Sequence, residues 1–225
     1  MDEPELDPAL HADALVGLSR INLFSGSARV LWPLLCEAAR RKEAGDPPLR
    51  VLDVATGGGD IPLRLWKKAR RAGIQADIAA CDASEVALAF ARKRAAAVGA
   101  DVRFFPFDVL SDTELPGEYD VVCCSLFLHH LNEDDACRVL QRLARVTRDS
   151  MLVNDLVRNT GGLLLAAVGP RLLSRSPVVH YDATRSVHSA FTEREARALA
   201  ERAGLHNARF TRHWPCRYLL SWRRT

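Results

Sequence analysis

An apolar run, Val51-Leu52-Asp53-Val54, stops at Ala55-Thr56-Gly57-Gly58-Gly59-Asp60 and passes into a segment with helical spacing. Such a chain must turn sharply from a buried strand into a helix, because three consecutive glycines support neither element. Glycine has no Cβ, so a turn of this kind brings backbone N–H groups close to a ligand. Two carboxylates bracket it, Asp53 within the strand and Asp60 at the far end. They disfavour a pyrophosphate and favour a cationic ligand carrying hydroxyls and an ammonium group. Pro62 falls in the first turn of the following helix, where its missing N–H costs nothing.

Beyond the turn, strand-like and helical patterns alternate. Strands are expected over 50–55, 76–81, 102–107, 119–125 and 150–156, and helices over 61–72, 85–98 and 133–146. Ser84 is placed to cap the helix from 85. Strands separated by such helices imply right-handed crossovers and a parallel sheet, and Val121-Val122-Cys123-Cys124 suits burial on both faces. The rhythm breaks over 157–190, a length usual for a lid, which includes a leucine-rich helix candidate at 162–173. Thr192 and Glu195 form a capping-box signature for a helix reaching Ala203. Two short strands, 206–213 and 216–222, finish the chain. Ahead of the core, residues 4–41 read as two helices, striped first by Leu10, Leu15, Leu18 and Ile21, then by Val30, Leu31, Leu34, Leu35 and Ala38. The expected division is an N-terminal helical cap, 1–48, and one α/β domain, 49–225, carrying the lid.

Composition narrows the partners. The 31 basic and 28 acidic residues of the 225 leave a net charge of only +3, weak support for a nucleic-acid partner. After Glu201 no carboxylate remains, while Arg202, Arg209, Arg212, Arg217, Arg223 and Arg224 follow. A solvated basic terminus is expected there, with RNA contact as the alternative. The six cysteines form no C-x-x-C pair, and Cys81, Cys123 and Cys124 fall in strand-like runs as free thiols, suiting a reducing cytoplasm. The acidic start lacks the pattern of a signal peptide, and the apolar stretch over 161–173 is too short and broken to cross a bilayer.

The glycine turn alone leaves a dinucleotide open. Gly57 and Gly59 satisfy the first two glycines of G-x-G-x-x-G, but Pro62 stands where the third is needed for close helix–strand packing. Asp82, in Cys81-Asp82-Ala83-Ser84, ends the second strand, where a carboxylate can accept both hydroxyls of a ribose. Phe107-Asp108-Val109 ends the third strand, and Ser125-Leu126 the fourth. Four strand ends in order, each with a suitable polar group, resemble the class I S-adenosylmethionine (SAM) dependent methyltransferases over about 49–156, with Val51–Asp60 resembling their motif I. The resemblance implies a Rossmann-like, mostly parallel seven-stranded sheet of order 3-2-1-4-5-7-6, with helices on both faces and a helical lid. It further implies SAM as cofactor, leaving as S-adenosylhomocysteine (SAH), and no metal. The cofactor-binding positions it implies are Arg20, Asp53, Ala55, Thr56, Gly57, Gly59, Asp60, Asp82, Ala83, Phe107, Asp108, Val109, Ser125 and Leu126. Arg20 is assigned to the methionine carboxylate, Asp82 to the ribose and Asp108 to the adenine amino group.

The fourth strand ends in Ser125-Leu126-Phe127-Leu128, not in the Asn/Asp-Pro-Pro-Tyr/Phe of enzymes that methylate base or amide nitrogens. The pattern is more similar to small-molecule O- and C-methyltransferases, including the ubiquinone/menaquinone group. The expected reaction moves a methyl group to oxygen or carbon of a small hydrophobic aromatic acceptor, phenolic, polyketide-like or quinone-like; the alternatives are an RNA methyltransferase using the basic C-terminal strands and a SAM-fold enzyme of another reaction type. A phenol benefits from a positioned base. His129, just past the fourth strand, and His180 and His188, flanking Tyr181, Asp182 and Ser186 in the lid, are the candidates. His130 is assigned to packing or capping the next helix, and Asp155 with Arg158 to a structural ion pair.

Overall fold

A computed structural model describes residues 26–43, 45–162 and 185–224. Seven strands form one sheet of order β3-β2-β1-β4-β5-β7-β6. In chain order the elements are α1 (Ser27–Arg40), β1 (Leu49–Val54), α2 (Asp60–Arg71), β2 (Ala76–Asp82), α3 (Glu85–Ala97), β3 (Arg103–Pro106), β4 (Tyr119–Ser125), a 3-10 turn at Leu128–His130, α4 (Glu133–Val146), β5 (Thr147–Leu156), α5 (Glu193–Arg202), β6 (Arg209–His213) and β7 (Arg217–Arg223). β1 pairs in parallel with β2 and β4, β2 with β3, and β4 with β5; β7 runs antiparallel to both β5 and β6. The expected strand order and the mixed sheet are therefore present.

Strand alternation divides the core into two layers. Val51, Ile78, Val121, Cys123, Leu152 and Leu219 point to one face and meet Leu31, Leu35 and Ala38 of α1 and Ile61 and Leu65 of α2. Leu52, Val54, Val122, Cys124, Val153 and Leu220 point to the other and meet Leu140 and Leu143 of α4 and Leu199 of α5. Each buried leucine of this kind contributes about 1.5–3 kcal/mol relative to exposure.

Local signals worked where the chemistry was local. Ser84 Oγ accepts from Ala87 N–H at 3.2 Å. Thr192 and Glu195 close a reciprocal capping box before α5. Two expectations need correction. α4 passes into β5 without a loop, so β5 begins at Thr147 and not at 150, because Thr147 Oγ1 bonds back to Leu143 O at 2.7 Å and the chain turns extended at once. Of the two roles expected of His130, capping the helix from Glu133 belongs to Asn132 instead, whose Oδ1 accepts from Asp135 N–H at 2.8 Å. The stripe at Leu10–Ile21, most of the 162–173 helix candidate, Arg20, His180, Tyr181 and Asp182 lie outside the described residues.

Candidate functional site

The carboxyl ends of β1, β2, β3, β4 and β5 converge on one edge of the sheet. At the end of β1 the backbone turns through three left-handed residues, Ala55 (φ 55°), Gly57 (φ 53°) and Gly59 (φ 73°). A Cβ at Gly57 would meet nothing within 4 Å, so that side of the turn faces open space. A Cβ at Gly59 would lie 2.9 Å from Ala91 Cβ and 3.2 Å from the Phe104 ring. The second position thus seats the turn against α3, while the first keeps it clear for a ligand.

Carboxylates fix the turn from beneath. Asp82 Oδ2 accepts from Gly57 N–H at 2.7 Å, and its Oδ1 from Ser84 N–H at 2.9 Å. A carboxylate has about four lone-pair positions, so both oxygens keep accepting capacity. Asp53, 2% exposed, accepts from Thr56 Oγ1 at 2.6 Å through Oδ2. Its Oδ1 is buried without a hydrogen-bond partner among the described residues. Burial pushes the Asp53 carboxyl up to about 7; the Thr56 hydroxyl opposes this, and Asp82 and Asp60 add to it. Asp60 is paired at 2.6 Å with Arg94 of α3, which also donates to Gly58 O at 2.9 Å. Sequence reasoning passed over Arg94, because nothing local reveals that α3 returns beneath the turn.

The next strand ends carry the expected groups. Exposed Asp108 accepts from Leu110 N–H at 2.8 Å, Phe107 N–H donates to Asp82 O at 3.0 Å, and Val109 is buried. Arg142 of α4 clamps this loop by donating to the carbonyls of Val109, Ser111 and Thr113. Ser125 is buried with its Oγ unpartnered among the described residues. Leu126 takes a left-handed φ of 59° and donates its N–H to Asn154 O at 2.9 Å. Ala55, Thr56 and Ala83 line the same strand ends.

His129 is 5% exposed, and its Nδ1 lies 2.6 Å from Oδ1 of Asp155, itself 1% exposed at the end of β5. The His129 N–H also donates to Asp155 Oδ2 at 3.3 Å. An ionised Asp155 requires Nδ1 to carry the proton, which leaves Nε2 of the neutral ring as the acceptor. Burial alone would raise the Asp155 carboxyl. The His129 ring and the N–H groups of Leu156 and His129 outweigh burial and hold it below the ordinary carboxylate value. The expected Asp155–Arg158 pair is therefore absent: Arg158 reaches Glu195 of α5 at 2.6 Å instead. Arg158 lies past the strand end and is exposed, whereas Asp155 points into the sheet face that carries His129. The run of acids at strand ends, extended to β5, was the signal for Asp155. His188 is exposed in a helical stretch, 185–189.

A second buried polar group sits on the opposite face of β5. Arg217, at the start of β7, donates through Nη1 to Ser27 Oγ at 2.6 Å, and Asn154 Nδ2 donates to the same oxygen at 3.1 Å. Burial lowers the Arg217 guanidinium to about 10, with Asp155 pulling the other way.

A sheet of this order, with a glycine turn after β1 and carboxylates at successive strand ends, defines the class I methyltransferase architecture. Residues 51–150 match the family model described as a methyltransferase domain, which together with the fold supports a class I SAM-dependent methyltransferase. It is similar to the ubiquinone biosynthesis O-methyltransferase of Bordetella bronchiseptica, 33% identical over 164 residues, covering 69% of this chain and 61% of that protein. The chain thus spans less than two thirds of the length of that relative. Among solved structures, the citrinin polyketide synthase CMeT domain superposes with a TM-score of 0.65 at 15% identity, covering 87% of this chain and 51% of that one. Magnesium protoporphyrin IX methyltransferase from Synechocystis PCC 6803, with bound SAM, superposes with a TM-score of 0.59 at 16% identity, covering 99% and 100%. At these identities the likeness is one of fold.

Proposed function

We propose that this chain transfers a methyl group from SAM to an oxygen or carbon of a small hydrophobic aromatic acceptor, with His129 as general base and Asp155 as its positioning residue. The carrying observation is the buried 2.6 Å contact between them at the ends of β4 and β5. The acceptor class is supported by the likeness to a protein named for ubiquinone biosynthesis.

The residues present fit the cofactor. The open side of Gly57 and the unpartnered Asp53 Oδ1 and Ser125 Oγ lie at neighbouring strand ends, as a ligand with hydroxyls and an ammonium requires. On this reading Asp82 and Ala83 hold the ribose, and Phe107, Asp108 and Val109 the adenine. Asp53, Ala55, Thr56, Gly57, Gly59, Asp60, Ser125 and Leu126 surround the methionine part, whose carboxylate falls to Arg20. Residues 1–48 and 157–190 form the cap and lid, His180 and His188 belong to the acceptor side, and no nucleic acid takes part. The six free thiols suit a cytoplasmic setting.

When bound, SAM supplies a methyl carbon made electrophilic by its sulfonium. The chain's part is to hold the acceptor in line, exclude water and take the hydroxyl proton at His129 Nε2. Asp155 fixes the ring orientation and stabilises the imidazolium that results. His129→Ala and Asp155→Asn are expected to lower kcat on a phenolic acceptor about 100-fold, while SAH affinity by calorimetry stays within about twofold. Unchanged rates, or a loss of SAH affinity matching the loss of rate, would remove the base assignment. Asp82→Ala is expected to abolish the SAM-induced thermal shift, and an unaltered shift would remove the ribose assignment.

A further inference from the structure

Arg142 lies half-buried on the flank of α4, and its guanidinium donates to three backbone carbonyls of a single loop: Val109, through Nη1 at 3.1 Å, Ser111 and Thr113. It pairs with no acid among the described residues, although Asp112 and Glu114 stand in the same loop. No backbone N–H among the described residues reaches those carbonyls. The loop's own donors turn inward instead. Leu110 N–H donates to Asp108 Oδ1 at 2.8 Å, Ser111 N–H to Asp108 O at 3.1 Å, and Ser111 Oγ to the same carbonyl at 2.7 Å. Backbone carbonyls require donors, and one planar guanidinium fork supplies them here.

The gripped loop begins at Asp108, at the end of β3. Leu110 takes its Oδ1, while Oδ2 accepts from no described residue. Beside it the Val109 N–H has no partner among the described residues. An acceptor and a donor thus stand next to each other, complementary to the amino group and adjacent ring nitrogen of an adenine. Ser111 holds the peptide before Val109, through Asp108 O, and Arg142 holds the peptide after it, through Val109 O. Without Arg142, that second peptide is held only by the Asp108 carboxylate, the group that has to face the ligand. Leu140 and Leu143, on either side of Arg142 in α4, are buried against the sheet, so the fork is anchored to the core and not to the loop.

We propose that Arg142 is a positioning residue for the purine of the cofactor, holding the 108–113 loop in the shape that lets its Asp108 end select adenine. This rests on the adenine reading of Asp108 above.

The test titrates the full chain by calorimetry with SAH and with S-inosylhomocysteine, which carries a carbonyl in place of the amino group and an N–H in place of the ring acceptor. The wild type is expected to bind SAH at least about tenfold more tightly, a difference of about 1.4 kcal/mol. Arg142→Met is expected to weaken SAH about tenfold and to bring the two ligands within about twofold. Arg142→Lys keeps the stem and the charge on α4 but not the fork. It is expected to fold and to retain a preference of about threefold, and it stands in for the methionine variant should that one not fold. The effect must run through Asp108. In an Asp108→Ala background, Arg142→Met is therefore expected to change SAH affinity by less than about twofold. A preference that survives Arg142→Met, an undiminished preference in Arg142→Lys, or a full further loss in the Asp108→Ala background would each overturn the inference. A wild type that binds both ligands equally, or an Asp108→Ala variant that keeps the preference, would sink the adenine reading and the inference with it.

Discussion

At the scale of single residues, Asp53 separates this site from a surface acid cluster. Its carboxyl, raised from 3.8 to about 7 by burial, holds its proton in the folded state over a range where the unfolded chain has lost it. The corresponding stability is therefore whole below about pH 4 and lost as pH rises through about 7. The Tm of the ligand-free protein is expected to fall between about pH 5 and about pH 8, and Asp53→Asn to flatten that slope. Identical slopes for the two proteins would show that Asp53 is already ionised. Asp155 has the opposite sign: its lowered carboxyl contributes stability that disappears only as pH falls below the ordinary carboxylate range. Asp53 and Asp82 were legible as candidate site residues because Asp53 lies one residue before the end of β1, ahead of the glycine turn, and Asp82 ends β2. Their different protonation was not, because burial and the spacing of Asp53, Asp60 and Asp82 are properties of the folded state.

Among the elements, the strand–turn–helix unit from β1 to α2 carries the tightest constraint. Gly59 combines a left-handed φ with a virtual Cβ that collides with Ala91 and the Phe104 ring. Gly59→Ala is expected to destabilise the protein by about 2 kcal/mol or more in urea denaturation. Gly57 shares the positive φ but faces open space, so Gly57→Ala is expected to cost about 1 kcal/mol and chiefly to weaken SAM binding. Equal losses of stability at the two positions would contradict the packing of α3 beneath the turn. The glycine run itself announces a turn. Which glycine packs and which faces open space depends on where α3 lies, and Ala91 and Phe104, 32 and 45 positions after Gly59, decide that.

For the whole molecule, three of the six arginines over 202–224 meet an acid, Arg223 with Asp149 at 3.5 Å among them. Arg202 pairs with Glu133 and Asp134, and Arg212 with Glu193. Arg224 donates to the carbonyls of Ala144 and Thr147, and Arg217 is buried. Arg209 and Arg224 are the exposed arginines of this stretch without an acid partner among the described residues. A Kd for a uridine oligonucleotide weaker than about 100 μM is expected at physiological salt; micromolar binding with a steep salt dependence would restore the RNA alternative.

The alternation of strands and helices, the glycine turn and the acids at successive strand ends follow from local pattern, since burial on two faces and a sharp turn each demand particular residues within a few positions. The pairing of His129 with Asp155, and of Ser27 with Arg217 190 residues away, follows from nothing local. It requires β5 to lie between β4 and β7 in this register, with Asp155 and Asn154 pointing to opposite faces. Alternation along β5 then sends Asp155 to His129 on one face and Asn154 to the Ser27 hydroxyl that Arg217 also reaches on the other.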